Sequence, residues 1–189
     1  MSDTMNLEDV PAIPDLSGLS DETQFEEWQN AWYEASILEQ RSFTDKNGND
    51  RVFASGDEPS TAGDSRNIRL QMLVKRASDG RTMNIGSLTN YRPDDLTQET
   101  VQQAIADSGK PRDEQNPSLL RAKLTLQRLA KLQKVAGIRQ FQKNGNGGLD
   151  LHSLFGKSCF VRLKEDDRNP QFKQVADIRV DRPTKAKVL

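Results

Sequence analysis

The sequence predicts a mostly β chain with a helical insertion, an α+β architecture of five strands with helices between strands three and four. Three observations carry this expectation. Apolar and polar residues alternate from Ile68 to Val74 with Leu73 out of pattern, and Cys159, Val161 and Leu163 recur at the same spacing, the period of a half-buried strand. Between those runs, Leu119 to Ala136 repeats apolar residues at helical spacing. Turn-forming clusters at Asp45 to Asp50, Ser78-Asp79-Gly80 and Glu165 to Pro170 punctuate the pattern.

Residues 1–30 read as an acidic, partly disordered segment, broken by Pro11, Pro14 and Gly18. Within it, Ser20 to Ala31 is expected to start a short helix. Ser20 serves as N-cap, and Phe25, Trp28 and Trp32 fall at i, i+3 and i+7. That stripe either docks onto the domain or meets a partner. Residues 31–182 read as a single domain with its helical insertion at about 94–137, and residues 183–189 as a basic tail.

The first strand is expected from Trp32 to Phe43, with Tyr33, Ala35 and Ile37 on one face. After the Asn47-Gly48 turn, the stretch to Ser65 reads as a Gly-, Ser-, Asp- and Pro-rich loop, long enough to be functional or disordered. Ile68, Leu70, Met72 and Val74 form the second strand, with Asn67, Arg69, Gln71 and Lys75 outward and Leu73 out of pattern. A hairpin turn at Gly80 leads to the third, Thr82 to Tyr91. Asp94 opens a helix running to about Asp107, stopped by Gly109.

Residues 110–117 read as a connector, and Ser118 as the cap of the long helix 119–136, closed by Gly137. That helix carries two apolar stripes, so it packs on more than one side or forms a homo-oligomer interface. Lys143 to Gly148 reads as a flexible linker. A helical turn follows over Leu149 to Phe155. The fourth strand spans Lys157 to Lys164, with Cys159, Val161 and Leu163 inward, and the fifth spans Phe172 to Val180.

This order of five strands is that of the OB-fold, a small Greek-key barrel whose closure leaves no sticky edge. The competing arrangement is an α+β sandwich with the long helix over one sheet face.

Charge is divided along the chain. Residues 1–64 hold 15 Asp/Glu against 3 Lys/Arg, and residues 65–189 hold 24 Lys/Arg against 13 Asp/Glu. A basic domain with an acidic attachment favours a polyanion such as nucleic acid, with the acidic part able to compete for the same surface. The plainer alternative is an unevenly charged, solvated surface.

Catalytic and metal chemistry find no support. A single Cys159 and a single His152 leave neither an intrachain disulfide nor a Cys/His zinc cluster. Glu165-Asp166-Asp167 reads as a solvated turn or a cation loop, with no second ligand cluster. Gly145 to Gly148 lacks the Lys-Ser/Thr ending of a phosphate loop. The expectation is a non-enzyme with no cofactor and no metal. No apolar run reaches bilayer length, so a cytoplasmic, soluble protein is expected.

Single-strand binding needs cations for phosphates and aromatic platforms for bases. The candidates for phosphates are Arg69, Lys75, Arg81, Arg92, Arg162, Lys164 and Lys173; those for stacking are Tyr91 and Phe160. Phe160 has outward parity between cations, although packing against the long helix is equally open to it. The alternative for Tyr91 is to end a strand with its ring over the barrel mouth.

From about Trp32 to Arg182 the pattern resembles an uncharacterised family of bacteriophage proteins often encoded among replication and recombination genes and suspected of binding single-stranded DNA. The likeness rests on Gly48-Asn49 after a first strand, Asn67-Ile68-Arg69-Leu70, Gly80-Arg81, the Leu126 to Gly137 helix, Leu154-Phe155-Gly156-Lys157 into Cys159-Phe160-Val161, and Gln174-Val175. It implies an OB-fold, phage-encoded, non-catalytic single-stranded DNA-binding protein in the host cytoplasm. Replication or recombination proteins would be partners through the acidic N-terminal segment. The long first loop, the helix after Tyr91 and the acidic N-terminus depart from a minimal version. The alternative is a protein–protein interaction module of a replisome or virion assembly.

Overall fold

A computed structural model describes residues 28–45, 47–61, 63–169 and 172–182. In chain order the strands are β1 (Trp32–Leu38), β2 (Gln40–Thr44), β3 (Asp50–Ala54), β4 (Gly56–Pro59), β5 (Arg66–Lys75), β6 (Thr82–Tyr91), β7 (Ser158–Glu165) and β8 (Lys173–Arg179). The helices are α1 (Gln98–Ser108) and α2 (Leu120–Ala136). The protein is therefore mixed α/β, mostly strand, with two α-helices among the described residues.

The alternation in β5 makes it the centre of the main sheet. Ile68, Leu70, Met72 and Val74 are almost wholly buried, and both edges of the strand are paired. β6 runs along one edge in register from Arg66↔Tyr91 to Lys75↔Thr82. On the other edge, β1 pairs with 71–75 and β4 with 66–69, end to end on one line. β7 pairs β1, and β8 pairs β7 across a register shift after Arg162. The order β6-β5-β1-β7-β8 is antiparallel throughout and open: no ladder joins β6 to β8.

β2 and β3 leave the line between β1 and β4 as a separate two-stranded ribbon. Ser55 anchors its base, accepting from the Gln71 N–H at 2.8 Å and donating to the Leu38 carbonyl at 2.6 Å. The turn at Asp45 to Asp50 is present, but the loop expected from there to Ser65 is corrected to the second strand of a hairpin followed by an edge strand, and the first strand ends at Leu38 rather than Phe43. Glu39 interrupts the ladder there.

α2 adds Leu129, Leu132, Val135 and Ala136 to the core cluster that holds Ala35, Ile37, Leu154, Val161 and Leu163, and lies against β6, β8 and the 3-10 turn at His152–Leu154. Each fully buried side chain of this size contributes about 1.5–3 kcal/mol relative to exposure. Gly137 ends the helix at φ 71, a left-handed cap that frees its N–H for the Gln133 and Lys134 carbonyls. The expected cap at Ser118 is replaced by Asn116, whose side chain accepts from the Ser118 N–H at the short 3-10 turn before α2. The second apolar stripe divides: Leu132 and Val135 are core, while Leu120 and Leu124 face solvent.

The Lys143 to Gly148 stretch is an ordered turn, not a flexible linker. Lys143 bridges to Leu149, and Asn144 Oδ1 accepts from the Asn146 and Gly148 N–H groups. The expected helix over residues 20–31 lies almost wholly outside the described residues, as does the tail 183–189. Trp28 and Trp32 are described: Trp28 meets the Tyr33 ring edge-on at 5.0 Å.

Candidate nucleic-acid interface

Strand parity sends Cys159, Val161 and Leu163 into the core and Phe160, Arg162 and Lys164 outward. Cross-strand register then assembles two adjacent rows on the outer face. One runs Lys75, Glu34, Phe160, Arg179 across β5, β1, β7 and β8; the other runs Trp32, Arg162, Asp177 across β1, β7 and β8. At about 4.8 Å between strands, the first row is roughly 14 Å wide. Arg179 lies over the Trp32 indole, 5.0 Å from the ring centroid, which orients the ring as well as adding charge. Both aromatic rings are half-buried.

Two acids share this face. Burial works against the charge of Asp177, but Lys131 Nζ at 2.5 Å, the Ile178 N–H and Arg179 together hold its carboxyl below the usual carboxylate range. Asp177 is thus already neutralised from α2 and β8. Glu34 stands between Lys75 and Phe160.

The ribbon supplies a second cluster that the sequence reading missed. Arg41 faces Phe53 and Phe43 faces Arg51 across β2 and β3. The two phenylalanine rings stack at 5.4 Å and are 2° from parallel, and the Arg41 guanidinium lies 5.1 Å from the Phe53 centroid. Phe43 is 44% exposed. Arg51 pairs with Asp45 at 3.2 Å. The signal was present as Arg41-Ser42-Phe43 and Arg51-Val52-Phe53, the same triplet on both sides of the Asn47-Gly48 turn.

Of the expected residues, Lys75, Phe160 and Arg162 come together. Lys164 shares their face but pairs with Asp167 at 2.9 Å, and Lys173 meets Glu165 at 3.3 Å and Asn30 at 3.2 Å. Arg81 sits in the β5–β6 turn, 3.4 Å from Asp79. Asp79 is lowered to about 2, first by its hydrogen bond with Arg76. Arg69 lies six residues along β5 from Lys75, about 20 Å away, and 3.9 Å from Glu58. Arg92 is exposed just beyond β6, ahead of the 3-10 turn at Pro93–Leu96. These last cations mark the ends of the sheet rather than its central rows.

Tyr91 is withdrawn from the stacking set. It is 2% exposed, and its hydroxyl donates to Asp57 Oδ2, so no base can reach its ring. Cys159 is equally enclosed, and burial pushes its thiol up to about 12. His152 makes a local 2.6 Å contact with Asp150 at the surface. Among the described residues, no three His, Cys, Asp or Glu side chains converge as a metal site would require.

No family model and no curated protein matches the sequence. No helix among the described residues is long and apolar enough to cross a membrane.

Proposed function

We propose that this chain is a non-catalytic single-stranded DNA-binding protein with an OB-like fold, acting in phage replication or recombination in the host cytoplasm. The carrying observation is the outer sheet face, where Trp32 and Phe160 sit in adjacent rows with Lys75, Arg162 and Arg179. Sequence-tolerant strand binding combines a cationic track for phosphates with aromatic faces on which bases stack. The Phe43–Phe53 ribbon extends the same chemistry from the sheet as an arm between the first and second principal strands.

The fold supports this reading in its strand order. Counting β1, β5, β6, β7 and β8 as the five principal strands, the sheet runs third, second, first, fourth, fifth, with α1 and α2 between third and fourth. Coiling such a sheet brings its outermost strands side by side, as in a partly open five-stranded Greek-key barrel. That barrel uses its first–second connection and its second and third strands for oligonucleotides; the ribbon and Lys75 fall there, whereas Trp32, Phe160, Arg162 and Arg179 lie next to it on the first, fourth and fifth strands.

A protein-binding role has one observation of its own. A cavity of about 730 Å3 between α1 and α2 is lined by apolar side chains including Val101, Leu126 and Phe141, with Ile105 67% exposed at its edge. Titration of a fluorescent oligonucleotide at several salt concentrations separates the readings. Single-strand binding gives a log-log slope of about −0.7 per phosphate neutralised. Undetectable or salt-insensitive binding discards the nucleic-acid reading in favour of the apolar cavity.

A further inference from the structure

The open seam of the sheet is a second feature of charge and shape. Among the described residues no strand pairs the outer edges of β6 and β8, and such edges offer N–H and C=O groups to any added chain. Between them and α2 runs a groove of about 570 Å3. Its apolar lining includes Leu88 and Leu124, which are 59% and 49% exposed. Arg128, Arg162 and Lys164 line it too, while its one acid, Asp177, is held by Lys131. The groove therefore suits an acidic chain with interspersed apolar residues.

Residues 1–27 have that chemistry. They contain eight Asp/Glu and no Lys or Arg, and Leu16 and Leu19 lie between Asp15 and Asp21-Glu22. Their point of departure is close to the groove. The Ala31 carbonyl accepts from the Leu163 N–H at 2.9 Å, and Asn30 Oδ1 accepts from Lys173 Nζ, next in sequence to Gln174 of the groove wall. The twelve residue steps from Leu16 to Trp28 can span up to about 40 Å, so reach does not limit docking. Tethering holds the segment at about millimolar effective concentration, enough for a weak intrinsic contact to be occupied.

We propose that the Asp15 to Glu22 part of the N-terminal segment docks in the β6–β8–α2 groove, covering Arg162 and Lys164. The consequence for DNA rests on the reading above: Arg162 belongs to both the groove and the outer face, so a docked segment and a bound strand compete.

The test uses the full chain with a nitroxide on Leu16→Cys. Native Cys159, buried and with its thiol held near 12, stays unlabelled. Docking broadens the amide signals of Leu88 and Ala176, and Arg128→Glu or Leu124→Glu restores them. Arg128→Glu should also tighten oligonucleotide binding about fourfold, as expected if the segment is docked three-quarters of the time. Simple loss of a cation would weaken binding instead. Unbroadened Leu88 and Ala176 signals, or broadening that persists in both variants, overturn the proposal. Broadening in a protein that binds no oligonucleotide supports the docking and overturns only the nucleic-acid reading.

Discussion

The Tyr91 hydroxyl donates a 2.5 Å hydrogen bond to Asp57 Oδ2, tying the last residue of β6 to β4. Asp57 is at the centre of a buried network. It receives Arg66 Nε at 2.8 Å and the Leu149 N–H at 2.6 Å, while Arg66 also donates to the Asn146 carbonyl at 3.2 Å. Burial, then the Asp57 carboxylate, push the Tyr91 phenol above its ordinary range, so it remains a donor.

Tyr91→Phe removes that donor while keeping the ring. A buried carboxylate deprived of one partner costs about 1–3 kcal/mol. Urea unfolding should show that loss, and oligonucleotide affinity should stay unchanged. A variant of wild-type stability with weakened binding would return Tyr91 to the interface.

Gly148 makes the same network sensitive to a single methyl group. A Cβ there would sit 2.9 Å from Asp57 Oδ2 and closer still to the Arg66 guanidinium, whereas one at Gly145 meets nothing within 4 Å. Gly148→Ala should destabilise by about 1–3 kcal/mol through overpacking. Gly145→Ala, in the same turn, should stay within about 0.5 kcal/mol of wild type. Equal urea midpoints for the two variants would contradict this account of the turn.

The network also explains where sequence reading succeeded and failed. Strand periodicity located β5, β6 and β7 because each buries one face, so period two is written directly in Ile68 to Val74 and Cys159 to Leu163. The ribbon buries little, and its Arg-x-Phe triplets mimic no core strand. β4 is Gly-Asp-Glu-Pro, and its pairing is supported by the buried Asp57–Arg66 contact rather than by apolar residues. Glycine and asparagine in 143–148 suggested flexibility, whereas Gly148 is small because a charged pair occupies the space beside it. Parity also placed Phe160 and Arg162 on the outer face. Tyr91 has the parity of Ile85 on β6, and the polar residues around it concealed a buried acceptor on β4, across β5.

Interface substitutions should sort by place. Alanine at Phe160 or Trp32 should cost about 1–3 kcal/mol of oligonucleotide binding, roughly 5–150-fold, by loss of a stacking face. Phe43→Ala should cost less, since Phe53 remains beside it. Lys75→Ala and Arg162→Ala should each flatten the salt slope by about 0.7. Arg92→Ala, at the far end of the sheet, should leave the slope unchanged. Uniform effects across all six positions would mean a diffuse charge effect rather than a bound track.

Acid should unfold the protein partly by releasing α1 from α2. Lys123 Nζ lies 2.5 Å from Asp107 Oδ2, both side chains are buried, and the Asn116 N–H donates to the same carboxylate. The Lys123 contact above all holds the Asp107 carboxyl below its ordinary 3.8. A carboxyl depressed in the folded state contributes its stability in full above the unfolded value. That contribution is lost as pH falls through the folded value, because the unfolded chain then binds more protons. Asp79, lowered to about 2 by Arg76, works in the same direction. Urea unfolding should therefore be flat in pH from about 7 to 5 as far as these groups are concerned, and weaken below about 4. Asp107→Asn should lower stability at pH 7, where it leaves the Lys123 ammonium buried without its counter-ion, and should reduce the loss between pH 4 and 2. An unaltered acid slope in that variant would place the acid sensitivity on other carboxylates.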